Sequence, residues 1–116
     1  MKHILLVALI TLSGCSTIKE YWPRPHDPVM FNQLVAVDVA IAHQNCDSPT
    51  WNTVIPITEQ LVKYTEWRHD PQAPNLKGLH AHIEHMGKGG SKTFCEIGKK
   101  TAKQRIDAAK SAWEGR

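Results

Sequence analysis

Helix starts and stops are written along this chain at close intervals, and they divide it into separate helices. Asp27-Pro28 places an acid that accepts from free helix amides before a proline suited to the first helical position. Met30, Leu34, Val37 and Ile41 form one stripe, widened by Phe31, Val35 and Ala42, which predicts a first helix from Pro28 to about Asn45. Cys46-Asp47-Ser48-Pro49 reads as a turn. Residues 50 to 55 are ambiguous, and Pro56 bars a plain helix interior there. Ile57, Leu61 and Tyr64 predict a second helix from about Ile57, ended by Asp70-Pro71, with residues 69 to 75 as a loop. Asn75 is suited to cap a third helix carrying Leu76, Leu79, Ile83 and Met86 on one side; Gly87 stops it and Gly89-Gly90 turns the chain. Thr93-Phe94-Cys95-Glu96 matches a capping box, and the helix behind it sets Cys95, Ala102, Ile106, Ala109 and Trp113 in one row. No repeat, alternating strand pattern or low-complexity tract is present. The expectation is an all-α domain over residues 28 to 116, a bundle of three to four helices.

The first residues follow a different logic. Met1-Lys2-His3 is a short basic start, and Ile4 to Leu12 is apolar except for one threonine. Nine helical residues span about 14 Å, half of a bilayer core of about 30 Å. A basic start, a short apolar run and small residues at a cut site make a secretory signal. Leu12-Ser13-Gly14-Cys15 resembles the lipobox of bacterial lipoproteins. That resemblance implies cleavage between Gly14 and Cys15, with acyl chains such as palmitate on Cys15. It divides the chain into a signal peptide (1–14), a lipidated start and tether (15–27) and a helical domain (28–116). One acyl chain holds a membrane only reversibly, whereas several hold it stably. In the same class an aspartate after the cysteine retains the protein in the inner membrane. The serine at position 16 implies the outer membrane, on its periplasmic side.

The resemblance also settles the cysteine arithmetic. With Cys15 carrying lipid, Cys46 and Cys95 remain, and an exported chain with two cysteines allows one bridge. Losing residues 1 to 14 removes Lys2 and takes the net charge from +3 to +2. That mild basic bias is no nucleic-acid footprint. Residues 16 to 27, STIKEYWPRPHD, have no helical period, and Pro23 and Pro25 stiffen them into a tether reaching about 35–40 Å when extended. Tyr21 and Trp22 suit lipid headgroups and suit packing on the domain equally well.

A Cys46–Cys95 bridge would bring the end of the first helix to the start of the last, since the two Cα atoms must lie within about 7 Å. The pair is then antiparallel, with position 46 − n level with 95 + n. Asp38 falls within the wide apolar face of the first helix, and Arg105 on the apolar side of the last. Asp38 lies level with position 103, and an arginine two residues on can cover the remaining rise of about 3 Å. The expectation is an Asp38–Arg105 ion pair.

His80, His82 and His85, with Glu84 among them, carry the ligand types that zinc and copper favour. Their spacing is not the HExxH of zinc proteases, and three exposed histidines on a short helix are the plainer alternative. The last 25 residues hold seven basic and three acidic side chains, at spacings such as Glu96 to Lys100 that support a solvated helix. No phosphate-cradling glycine loop and no Ser-His-Asp or Cys-His arrangement stands out.

The expected function is non-catalytic and needs no cofactor. It is a lipid-anchored envelope protein that presents a helical domain to another envelope or phage protein. Lipobox, short tether, compact helices and two late cysteines resemble the layout of small lipoproteins encoded by tailed phages. That layout implies superinfection exclusion or lysis control. The alternatives are a periplasmic metal-binding module built on the histidines and an outer-membrane spanin subunit. No second apolar run approaches a membrane span.

Overall fold

The computed structural model describes residues 26–116. Among them the chain forms four α-helices: α1 (Pro28–Ala42), α2 (Ile55–Trp67), α3 (Ala73–Met86) and α4 (Lys92–Glu114). A single 3₁₀ turn, Trp51–Thr53, precedes α2. The fold is all-helical, as expected. Each helix packs on its sequence neighbours, and α4 closes the ring onto α1. Cross-helix contacts fix an up-and-down order: Asp27 meets Tyr64, Thr58 meets His80, His82 meets Gly98, and Cys46 meets Cys95. One end gathers the N-termini of α1 and α3 with the C-termini of α2 and α4. The opposite end holds the bridge.

Local chemistry explains the boundaries. Asp27 caps α1, its Oδ1 accepting from the amides of Val29 at 3.0 Å and Met30 at 3.2 Å. α1 stops at Ala42, three residues short of the expected end, because Gln44 turns inward. The Gln44 Oε1 accepts from the Thr50 amide at 2.8 Å, and Lys99 Nζ donates to the Gln44 carbonyl at 2.9 Å and the Ala42 carbonyl at 3.3 Å. Pro56 sits in the first turn of α2, where no intrahelical amide is needed.

Three expectations about ends are corrected. The loop after α2 closes at Gln72, not Asn75, because Pro74 takes a first-turn position in α3. Asn75 therefore does not cap; its amide donates to the Arg105 carbonyl at 2.9 Å. The cap of α4 is Ser91, whose Oγ accepts from the Phe94 amide at 3.1 Å, so Thr93 and Glu96 do not form the expected capping box. Gly87 does end α3, and Gly89 takes φ +96°, which favours glycine.

The stripes meet in one core. Leu61, Leu76, Leu79, Ile83, Ile106 and Trp113 are fully enclosed, with the α1 stripe of Met30, Leu34, Val37 and Ile41 against them. Burying such a side chain contributes about 1.5–3 kcal/mol. Val35 and Ala42, expected to widen the α1 stripe, face solvent instead.

Candidate functional site

The bridge lies where the spacing placed it. Cys46 and Cys95 are bonded, with Cα atoms 5.6 Å apart. The antiparallel register follows, but the Asp38–Arg105 ion pair does not form. Asp38 is held by Lys103, whose Nζ lies 3.1 Å from both carboxylate oxygens and 3.3 Å from Asp107. The level position, 103, carries the partner itself. The hydrogen bond to Asp38 raises the Lys103 pKa, burial opposes this, and Asp107 adds to it. Arg105 sits about 200° further around α4 at 100° per residue, so it faces α3 instead. Its guanidinium donates to the Asn75 Oδ1 at 3.3 Å and the Asn75 carbonyl at 3.4 Å. Gly78 makes room there, since a Cβ at that position would stand 2.6 Å from Arg105 Nη1.

The three histidines of α3 go to three different partners. His80 places Nδ1 2.7 Å from Thr58 Oγ1 and Nε2 2.8 Å from Glu84. His82 Nε2 donates to the Gly98 carbonyl at 2.9 Å. His85 packs edge-on against Phe94, with centroids 5.6 Å apart. Among the described residues no group of three or more His, Cys, Asp and Glu side chains is placed to hold a metal ion.

Two carboxylates, Asp27 and the buried Asp70, lock the end of the bundle where α1 begins. Asp27 adds to its capping role: Oδ2 accepts from the Tyr64 hydroxyl at 2.9 Å and lies 3.3 Å from Arg68 Nε. Burial pushes its pKa up, but the Met30 amide, the Tyr64 hydroxyl, the Val29 amide and Arg68 outweigh that and leave it lowered. The same hydrogen bond, with burial, raises the Tyr64 pKa. Asp70 is only 5% exposed. Its Oδ1 accepts from the Trp113 indole at 3.1 Å and the Gln72 amide at 2.9 Å, and Arg116 grips both oxygens. Burial raises the Asp70 pKa, and Arg116, the Gln72 amide and Trp113 together bring it below the ordinary value. Sequence reading placed Asp70 only as a helix stop and Trp113 only as core. An acid before proline and an indole in an apolar row give no sign that they meet.

Beside this end a groove of about 470 Å³ runs along α2, lined by Gln33, Pro56, Glu59, Gln60, Lys63, Tyr64 and Trp67. Trp67, 79% exposed, stands at its end nearest the start of α1. Gln33 Oε1 is buried and has no hydrogen-bond partner among the described residues. Next to the groove, the outer side of α1 is uncharged and valine-rich, with Val29 51%, Val35 46% and Val39 49% exposed. No helix among the described residues is long and apolar enough to cross a membrane. Gly14, Cys15, Tyr21 and Trp22 lie outside the described residues.

No protein-family model, curated protein or solved structure matches the chain.

Proposed function

We propose that this chain is a non-catalytic envelope lipoprotein, anchored through Cys15 to the periplasmic side of the outer membrane, whose helical domain serves protein contact. The observation that carries the reading is the stretch Ile4 to Cys15, an apolar run too short to span a bilayer that ends in Leu-Ser-Gly-Cys. The bridge supports it: Cys46 and Cys95 are bonded to each other, so folding makes no demand on Cys15. The uncharged outer side of α1 offers a contact surface for a protein partner, in excluding further phage or in controlling lysis. Labelled-palmitate incorporation tests the reading, with Cys15→Ala beside the native chain and membranes fractionated afterwards. Label on the native protein in outer membranes, absent from the variant, is the expected result. No label on either, or equal label on both, would overturn it.

The competing metal-binding reading has less support, because His80, His82 and His85 are each engaged elsewhere. Isothermal titration with zinc and copper separates the two: micromolar binding that is lost in His80→Ala would favour the metal module. A spanin subunit would restore lysis to a host lacking its own outer-membrane spanin; the proposed reading expects no rescue.

A further inference from the structure

At about 100° per residue the outer side of α1 divides into two edges. Val35 leans toward α4, on the side where Asp38 meets Lys103. Val29 and Ala36 lean toward α2, on the side of Gln33 and the groove. That second edge and the groove form one continuous surface, with Trp67 standing 79% exposed at one end of it. α1 brings no charge to this surface. Asp38 is the single charged side chain of Pro28–Ala42, and Lys103 holds it on the opposite edge. α2 brings Glu59 and Lys63, which pair with each other at 3.4 Å. The groove wall also has an unmet hydrogen bond: Gln33 Oε1 is enclosed without a donor, and the Tyr64 hydroxyl beside it is committed to Asp27.

We propose that the occupant of this surface is a second copy of the chain, paired about a two-fold axis parallel to the helices, with α1 of each copy against α2 of the other. A two-fold interface joins a patch to its own image, so the patch must tolerate itself. A surface whose charges cancel does so without repulsion. The Asp27–Tyr64 bond sets the register, with position 27 + n level with 64 − n. An axis along the helices keeps those levels between copies. Gln33 is level with Thr58, so Gln60 of the other copy stands about 3 Å away along the axis, and its amide supplies the missing donor. Ala36 is level with Ile55, which sets a small residue beside Pro56 of the other copy. Trp67 of the other copy lies about 6 Å past the level of Pro28. Helical side chains lean toward the N-terminus of their helix, which carries that indole back over Pro28 and Val29. Tryptophan is among the residues that most often carry the binding energy of such contacts.

An axis across the helices would instead set α1 on α1 and α2 on α2, leaving Gln33 without Gln60. It would also put the starts of the two α1 helices at opposite ends. The axis along the helices puts them at the same end, as two chains anchored through Cys15 in one membrane require. The inference rests on reading the domain as one for protein contact, and it names a partner. Val35, on the other edge of α1, stays free for an envelope or phage protein.

The test uses the full chain in bacterial membranes, with a benzoyl-phenylalanine photoprobe in place of Trp67, an aromatic for an aromatic. The expected product has twice the mass of one chain and joins position 67 to residues 28–36 of a second copy. The same probe in place of the exposed Gln104 on α4 should give severalfold less. Ala36 is exposed, so Ala36→Glu should leave far-UV circular dichroism unchanged while removing the product. Val35→Glu, on the opposite edge, should leave the product intact. Cross-links from position 67 only within one chain, only to lipid or only to another polypeptide would overturn the pairing. So would a yield no higher than the control, or equal effects of Ala36→Glu and Val35→Glu. Palmitate labelling of the same chains keeps the two readings apart. The paired product in a chain that takes no palmitate would keep the pairing and sink the anchor, and label without that product would do the reverse.

Discussion

Replacing both bridge cysteines, Cys46→Ala with Cys95→Ala, tests whether the far end of the bundle needs a covalent staple. The bridge closes a separation of 49 residues. In the chain-entropy description that restriction of the unfolded chain is worth about 4 kcal/mol at 25 °C. A folded region of some 90 residues should have a total stability of about 5–14 kcal/mol. Removing the bridge therefore removes about a third or more of it. Two local terms modify the figure little. Alanine at the buried Cys95 leaves only a sulfur-sized gap. Lys92–Asp47 at 3.0 Å also spans the same end, but that pair is exposed and contributes under about 1 kcal/mol.

The assay is urea unfolding followed by far-UV circular dichroism, in a Cys15→Ser background so that no third thiol exchanges. The expected loss is about 4 kcal/mol, or about 15–30 °C in Tm for a domain of this size. The denaturant slope should rise, because the unbridged unfolded chain exposes more surface. A loss below about 1 kcal/mol with an unchanged slope would refute the reasoning, since the bridge would then not be restricting the unfolded chain.

Asp70→Asn should cost about 2–3 kcal/mol at pH 7, by weakening the hold on Arg116 and the buried Trp113 indole. Because the folded-state pKa of Asp70 is lowered, its contribution is full above the unfolded value near pH 4 and fades as pH falls through the folded value, where native and variant stabilities should converge. A double-mutant cycle should give about 0.2–1 kcal/mol of coupling for Asp38 with Lys103 and none for Asp38 with Arg105; the opposite ranking would contradict the register around α4. His69 holds φ +53° at the end of α2, so His69→Gly should raise stability by about 0.5–1 kcal/mol in the same urea assay, and a loss would mean the side chain contributes there.

The buried stripes were legible in the sequence because periodicity depends only on which residues avoid water. Met30, Leu34, Val37 and Ile41 recur at helical spacing and end up inside, as do Ala102, Ile106, Ala109 and Trp113. Ends were less legible. Pro74 reads equally well as loop or as first turn, and the choice fell to packing of the buried Ala73. The ion pair shows a different limit. Antiparallel counting placed position 103 level with Asp38, but choosing Arg105 ignored rotation about the helix axis, which swings residue 105 to the α3 side. The Asp70–Trp113–Arg116 cluster joins residues more than 40 positions apart through one carboxylate, and only the assembled bundle brings them together. Of the candidate site, the cysteine pair was readable, while the groove needs α1 and α2 side by side before it exists.

The two ends of this bundle are secured by different chemistry. At the far end, Cys46–Cys95 and the Lys99 contacts to the Ala42 and Gln44 carbonyls hold α1 to α4. At the opposite end, Asp27 ties α1 to α2 through Tyr64 and Arg68, and Asp70 ties the α2–α3 turn to α4 through Trp113 and Arg116. Both of those carboxylates have lowered pKa values, so both ties hold when the groups are ionised and weaken together in acid. Any pull on the chain ahead of α1 arrives first at Asp27, the residue that also caps α1. The far end, held covalently, keeps α1 on α4 even when that cap opens. Fraying in acid should therefore begin beside Asp27 and stop at the bridge, which leaves the outer side of α1 on a helix still fastened at its C-terminus.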